Sequence, residues 1–123
     1  MSSRARDVYN GVTATNLIAP QTAAAAVQSA AIDTTQMDGE LGVLMEVATG
    51  GTGTLNANLI NCATETGTYT ELTDVDFTAV TTAVSTQYVG VDKNSCKKYI
   101  KMNIDPGTSH DVSATLFSKN QVI

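Results

Sequence analysis

Short runs of alternating apolar and polar residues recur along most of the chain. The clearest run covers residues 98–104, where Ile100, Met102 and Ile104 share one face and Tyr99 and Lys101 lie on the other. A period of two residues is the pattern of a β-strand that buries one face. This run therefore predicts a strand of an antiparallel sheet with one side in the core and one side in solvent.

Further runs with β-branched and apolar residues predict a series of short strands separated by turns. Residues 41–48 are nearly all apolar, which predicts a strand buried on both faces. Turn signals occur at Asp38-Gly39, at residues 50–53, which we interpret as a hairpin connection, and at residues 105–108. The remaining predicted strands are residues 27–32, 55–62, 69–72, 87–91 and 111–118, with residues 77–80 forming a strand or a turn.

The number and spacing of these strands predict an all-β fold, an antiparallel β-sandwich or jelly roll. The abundant threonine supports this, because its branched Cβ favours strands over helices. The alanine run at residues 23–26 is too short and too poorly flanked to predict a stable helix. The predicted core, shared by two sheets, consists of Ile32, Val43, Met45, Leu59, Ile100, Met102 and Leu116.

The first 26 residues contain few large apolar side chains and differ from the rest. Two interpretations remain open: an extended N-terminal arm that reaches neighbouring subunits, or a first strand with a loose tail. Fully extended, 26 residues span roughly 85 Å at about 3.3 Å per residue. We therefore divide the chain into residues 1–26, the arm or first strand, and residues 27–123, the β-sandwich domain.

Charge narrows the choice of partners. Charged residues make up only 15% of the 123 residues, and the formal net charge is -5. An acidic chain with few Lys and Arg is unsuited to nucleic acid and to acidic membrane surfaces. No apolar stretch is long enough to cross a bilayer. A weakly charged exterior costs little to desolvate, which favours burial against other protein subunits.

The N-terminus carries charge but no apolar stretch behind it, so no secretory signal is predicted. The two cysteines, Cys62 and Cys96, would then meet a reducing cytoplasm. We expect free, buried thiols, with a cross-strand disulfide as the alternative.

The chemistry-bearing residues do not form a recognisable catalytic or metal-binding set. His110 is the single histidine, and its place after a Pro-Gly turn predicts an exposed loop residue. Glu71, Asp74 and Asp76 lack the spacing of a calcium loop and indicate a solvated acidic turn. We therefore predict no enzyme, no catalytic, cofactor-binding or metal-binding residues, and no cofactor.

Several segments together resemble small virion proteins encoded in the structural modules of tailed bacteriophages. The resemblance implies a β-sandwich that sits on a capsid, or in some cases in a tail, and it transfers no functional residues because such proteins have no catalytic motif. The segments lie across most of the chain, at Arg6-Asp7-Val8-Tyr9-Asn10, Leu17-Ile18-Ala19-Pro20-Gln21, Ile32-Asp33, Asp38-Gly39, Thr66-Gly67-Thr68-Tyr69-Thr70-Glu71-Leu72, Tyr99-Ile100-Lys101 and Val112-Ser113-Ala114.

The resulting hypothesis is a capsid cement or decoration protein, made in the host cytoplasm and located on the capsid surface of the virion. Its expected partners are the phage major capsid protein and further copies of itself, as a trimer or dimer. One alternative is a subunit of the tail or the head-tail connector. A carbohydrate-binding adhesion module is a third possibility, disfavoured by the absence of tryptophan.

Overall fold

The computed structural model describes residues 12–37, 39–72 and 75–119. Within these ranges almost all regular structure is β-strand, and one short 3-10 helix spans Lys93–Ser95. In chain order the strands are β1 (Val12–Ala23), β2 (Val27–Gln28), β3 (Ile32–Asp33), β4 (Glu40–Val47), β5 (Asn56–Cys62), β6 (Thr70–Glu71), β7 (Ser85–Asp92), β8 (Tyr99–Asp105) and β9 (His110–Lys119).

The strands form two sheets, and all their pairings are antiparallel. Sheet A has the order β1-β9-β4-β7. Sheet B has the order β2-β8-β5-β6, and β3 also pairs with β8. The predicted antiparallel β-sandwich is therefore confirmed.

The inner faces of the two sheets bury one shared core. Alternation along β8 and β9 places every second residue inward, as the pattern of the sequence predicts. Ile32 is only half-buried at the edge of this core. The other predicted core residues are all buried, namely Val43, Met45, Leu59, Ile100, Met102 and Leu116.

Two predictions about β4 and the loop after it need correction. The outer face of β4 is not buried throughout, because Leu44 is half-buried and Glu46 is exposed. The loop at residues 50–53 is not a hairpin connection, because it joins β4 of sheet A to β5 of sheet B. Gly50 and Gly53 adopt φ angles of 92° and 80°. This left-handed backbone conformation occurs in connections between two sheets as well as in hairpins.

The N-terminal region contributes a strand to sheet A. Val12–Ala23 pairs with β9, with register shifts on either side of Ile18. The segment Arg6-Asp7-Val8-Tyr9-Asn10, which carries part of the family resemblance, lies outside the described residues. The division of the chain at residue 26, and the role of the first segment as an arm, stay predictions.

Candidate interaction surface

The outer face of sheet A carries an apolar patch made of Leu44, Tyr88 and Phe117. Leu44 lies opposite Tyr88 across the β4–β7 pair, and the rings of Tyr88 and Phe117 are 6.5 Å apart. Tyr88 is 62% exposed. Aromatic and aliphatic side chains grouped on an outward face are typical of a surface that other proteins cover.

Glycine at position 42 allows the patch to lie flat. A Cβ atom there would collide with the phenol of Tyr88. The ring therefore lies across the backbone of β4 instead of standing away from the sheet. The patch therefore exposes the Tyr88 ring and the adjacent backbone of β4 as a flat surface, which is suited to close packing.

A groove lies at the Val47 end of sheet A. The groove has a volume of about 580 Å³, and Pro20, Glu46, Val84 and Asp111 are among its lining residues. Val84 is 69% exposed. The four strands of sheet A contain one lysine or arginine, Lys119, and four exposed carboxylates, Glu40, Glu46, Asp92 and Asp111, so the surroundings of the apolar patch are acidic.

The outer face of sheet B has a different character. Asn58 of β5 lies opposite Asn103 of β8, and Asn56 lies opposite Asp105. The ammonium group of Lys101 lies 4.5 Å from the centre of the Tyr69 ring. Charges also surround the patch on sheet A, but the large apolar side chains that are exposed among the described residues, Val84 and Tyr88, both lie on the sheet A side. The sheet A face is therefore the better candidate for a protein contact.

His110 is buried, so the prediction of an exposed loop residue is wrong. Its side chain is 1% exposed. Nδ1 lies 2.8 Å from the Pro106 carbonyl oxygen and Nε2 lies 2.7 Å from the Thr81 carbonyl oxygen. The ring thus joins two loops at one end of the sandwich, and neither ring nitrogen faces a hydroxyl nucleophile.

The remaining residues considered for chemistry do not converge on a metal site. Glu71 and Asp76 are exposed, and Asp74 lies outside the described residues. Among residues 12–37, 39–72 and 75–119, no three His, Cys, Asp or Glu side chains are grouped so as to hold a metal ion. In the same ranges, no helix combines the length and apolar character needed to span a bilayer.

Both cysteines are free thiols. Cys62 is buried, as expected, whereas Cys96 is only half-buried. A hydrogen bond from the backbone of Thr64 lowers the pKa of the Cys62 thiol. Burial raises the pKa of the Cys96 thiol. The two environments therefore shift the pKa of the two thiols in opposite directions.

We expect the two thiols to titrate separately. In Cys96→Ser protein, the alkylation rate of Cys62 should rise with pH around a midpoint below the ordinary value for a cysteine thiol. In Cys62→Ser protein, the midpoint for Cys96 should lie above that value. The measurement is iodoacetamide labelling against pH, followed by mass spectrometry. Identical midpoints in the two variants would contradict the assigned environments.

Comparison with known proteins gives the fold and not a family. No protein-family model matches the sequence, and no curated protein matches it at a significant level. Similar solved structures exist. Infectious bursal disease virus, Gx strain, gives a TM-score of 0.57 at 12% identity, over 89% of this chain and 32% of the viral chain.

Two further structures match over nearly their whole length. The SPBc2 prophage-derived protein YomS gives a TM-score of 0.54 at 13% identity, covering 87% of this chain and 91% of YomS. A Bacillus endospore appendage protein, described as a family of disulfide-linked pili, gives 0.51 at 14% identity, covering 91% and 90%. At these identities the shared property is the fold, and this chain is an antiparallel β-sandwich of the kind found in these three proteins.

Proposed function

We propose that this chain is a virion structural protein that binds the outer surface of a phage capsid and stabilises it. The observation that carries the proposal is the outer face of sheet A, where Leu44, Tyr88 and Phe117 form an apolar patch on a side with a single lysine. An apolar patch with an exposed aromatic ring, on a sandwich that already has a complete core, is best explained by a protein partner.

The fold likeness supports a role in a virus particle. Two of the similar structures are described as a virus and as a prophage-derived protein. The chain spans about a third of the viral one, so that protein's own assembly is not carried over to this chain. The resemblance of the sequence to phage virion proteins points in the same direction, to the phage major capsid protein as partner and the capsid surface as location.

The mechanism is thermodynamic linkage. A protein that binds the assembled shell and not its separated subunits stabilises the shell by about RT ln(1 + [L]/Kd) per site. At a free concentration of a hundred times Kd this is roughly 2.7 kcal/mol for each site. Many copies, each with a modest interface, therefore make the shell resistant to the pressure of packed DNA without any catalytic chemistry.

Substitution of the patch tests which face binds the shell. We expect Leu44→Lys to weaken binding to expanded empty capsids about tenfold or more, because an ammonium group would be placed in an apolar contact. Asn103→Lys, on the outer face of sheet B, is the matched control and should bind as the parent does. The measurement is co-sedimentation with capsids over a range of protein concentrations.

The outcomes of this experiment separate the proposal from its alternatives. Loss of binding in Asn103→Lys, with Leu44→Lys unaffected, would assign the contact to sheet B. Absence of binding by the parent protein would contradict the capsid role. Rings or tubes of purified protein in negative-stain images would instead favour a tail or head-tail connector subunit.

A further inference from the structure

Sheet A has two edge strands, β1 and β7, and their open edges differ. β1 has the features that keep an edge from pairing with other strands. Pro20 lacks an N–H, and the register of β1 shifts on either side of Ile18. The side chain of Gln21 donates to the carbonyl oxygen of Ala19 at 3.1 Å, so an edge acceptor is already occupied. From Leu17 onward, a partner strand would find few regularly spaced backbone groups on β1.

The edge of β7 has none of these features. Its eight residues pair with β4 without a shift. It contains no proline and no lysine, and its one charge, Asp92, lies at the very end. Natural sheets commonly place lysine, proline or a bulge on such an edge when it faces solvent. The absence of proline, lysine and a bulge from β7 therefore indicates that another strand covers this edge when the protein functions.

The ladder defines which backbone groups of β7 are available. Lys93 donates its N–H to the carbonyl of Gly39, one step beyond the last pair of the ladder. Antiparallel strands alternate between hydrogen-bonded and non-hydrogen-bonded pairs. It follows that Val91 and Val89 bond to β4, whereas the N–H and C=O groups of Thr86, Tyr88 and Gly90 point to the open edge. The described residues offer these six groups no other hydrogen-bond partner.

The exposed large apolar side chains lie along the same strand. Val84 is 69% exposed and Tyr88 is 62% exposed. Val84 directly precedes β7, and Tyr88 lies in the row of alternate residues that faces outward. Free backbone groups and exposed apolar side chains thus coincide on one strand, which is the combination used in strand addition.

We propose that β7 pairs with β7 of a second copy of this chain, antiparallel, with Tyr88 opposite Tyr88 of the second copy. In this register Thr86 lies opposite Gly90 of the second copy, so all the outward backbone groups meet one another. The two sheets A become one continuous sheet with a twofold axis perpendicular to it. The outer apolar patches of the two copies then lie side by side on one face.

The charges of β7 are compatible with pairing to a second copy of the same strand. Asp92 lies opposite Val84 of the second copy, so no like charges face each other across the contact. The interior of the strand is uncharged. The same strand can therefore form both sides of the contact without repulsion, as an isologous interface requires.

The experiment measures mass by light scattering on the purified full-length protein, with no capsid present. The parent should change from the 12.8 kDa chain mass to twice that mass as concentration rises. Tyr88→Lys should raise the Kd of the dimer about tenfold or more, because two ammonium groups would lie opposite each other. Thr115→Lys, on the outer face of β9 in the interior of the sheet, should dimerise as the parent does.

A mixing experiment tests the register directly. Tyr88→Lys and Tyr88→Glu should each be monomeric alone and should form a heterodimer when mixed, because position 88 faces itself. A parent that stays at 12.8 kDa at every concentration would overturn the proposal. Equal dimerisation by Tyr88→Lys would also overturn it, as would loss of the dimer on deletion of residues 1–11. Failure of capsid binding leaves these outcomes unchanged, so the two proposals fail separately.

Discussion

Met102→Asp is expected to leave the protein unfolded at room temperature. The side chain of Met102 is 0% exposed at the centre of β8, where the residue lies opposite Leu59 of β5. The substitution removes a packed apolar side chain, which costs about 2–5 kcal/mol. It also buries a carboxylate without a partner, which costs several kcal/mol more. The sum is comparable to the roughly 5–15 kcal/mol by which a whole domain is stable.

Lys101→Asp is the matched control, with the same new residue one position earlier in the same strand. Lys101 points to the outer face of sheet B, where its ammonium group contacts the Tyr69 ring. Loss of that contact costs about 1 kcal/mol. Thermal melts by circular dichroism should show a cooperative transition for Lys101→Asp and none for Met102→Asp. Equal behaviour of the two variants would mean that the register of β8 is wrong.

His110→Phe is expected to lower the free energy of unfolding by about 1–3 kcal/mol. The imidazole ring lies between the carbonyl oxygens of Pro106 and Thr81 and donates its ring N–H to one of them, whereas a phenyl ring donates to neither. A buried acceptor that loses its donor costs about 1–3 kcal/mol. The position does not tolerate rearrangement easily, because Gly51 packs directly against the imidazole ring.

Ser113→Ala serves as the control in the same strand. Ser113 lies on the outer side of β9 and is half-buried, so its replacement should change the free energy of unfolding by less than about 0.5 kcal/mol. Urea unfolding curves of the two variants provide the comparison. A loss below 0.5 kcal/mol for His110→Phe would contradict the role of this ring in joining the loops.

The strands and most of the core could be predicted from the sequence because they depend on local alternation. Residues 98–104 and 111–118 alternate cleanly, and the structure places β8 and β9 there with Met102 and Leu116 buried. Alternation reports which face of a strand is inward, and this depends only on neighbouring residues.

Strand neighbours and the environment of His110 could not be predicted, because they depend on residues far apart in the chain. β1 lies near the start of the chain and pairs with β9 near its end. The Thr, Ala and Asn residues of β1 contain no signal that identifies β9 as its neighbour. A glycine-rich segment such as residues 50–53 signals a change of direction, but the signal is the same for a hairpin and for a crossover. The environment of His110 depends on the loop that contains Thr81, because its ring contacts the carbonyl oxygen of that residue, 29 positions away in the chain.

The apolar patch also escaped prediction from the sequence, for a related reason. Leu44, Tyr88 and Phe117 lie on three different strands. Their grouping follows from the order β9-β4-β7 and its register. Sequence alone indicates a weakly charged exterior, whereas the fold shows which side of the sandwich carries the apolar patch.

Calorimetry of the viral shell measures directly whether this protein stabilises a capsid. Expanded empty capsids are heated with increasing amounts of the purified protein, and the melting temperature of the shell is recorded. We expect a rise in that temperature that saturates at a fixed number of copies per shell, and no rise with Leu44→Lys at the same concentration. A shell that melts at one temperature whether or not the parent protein is present would contradict it.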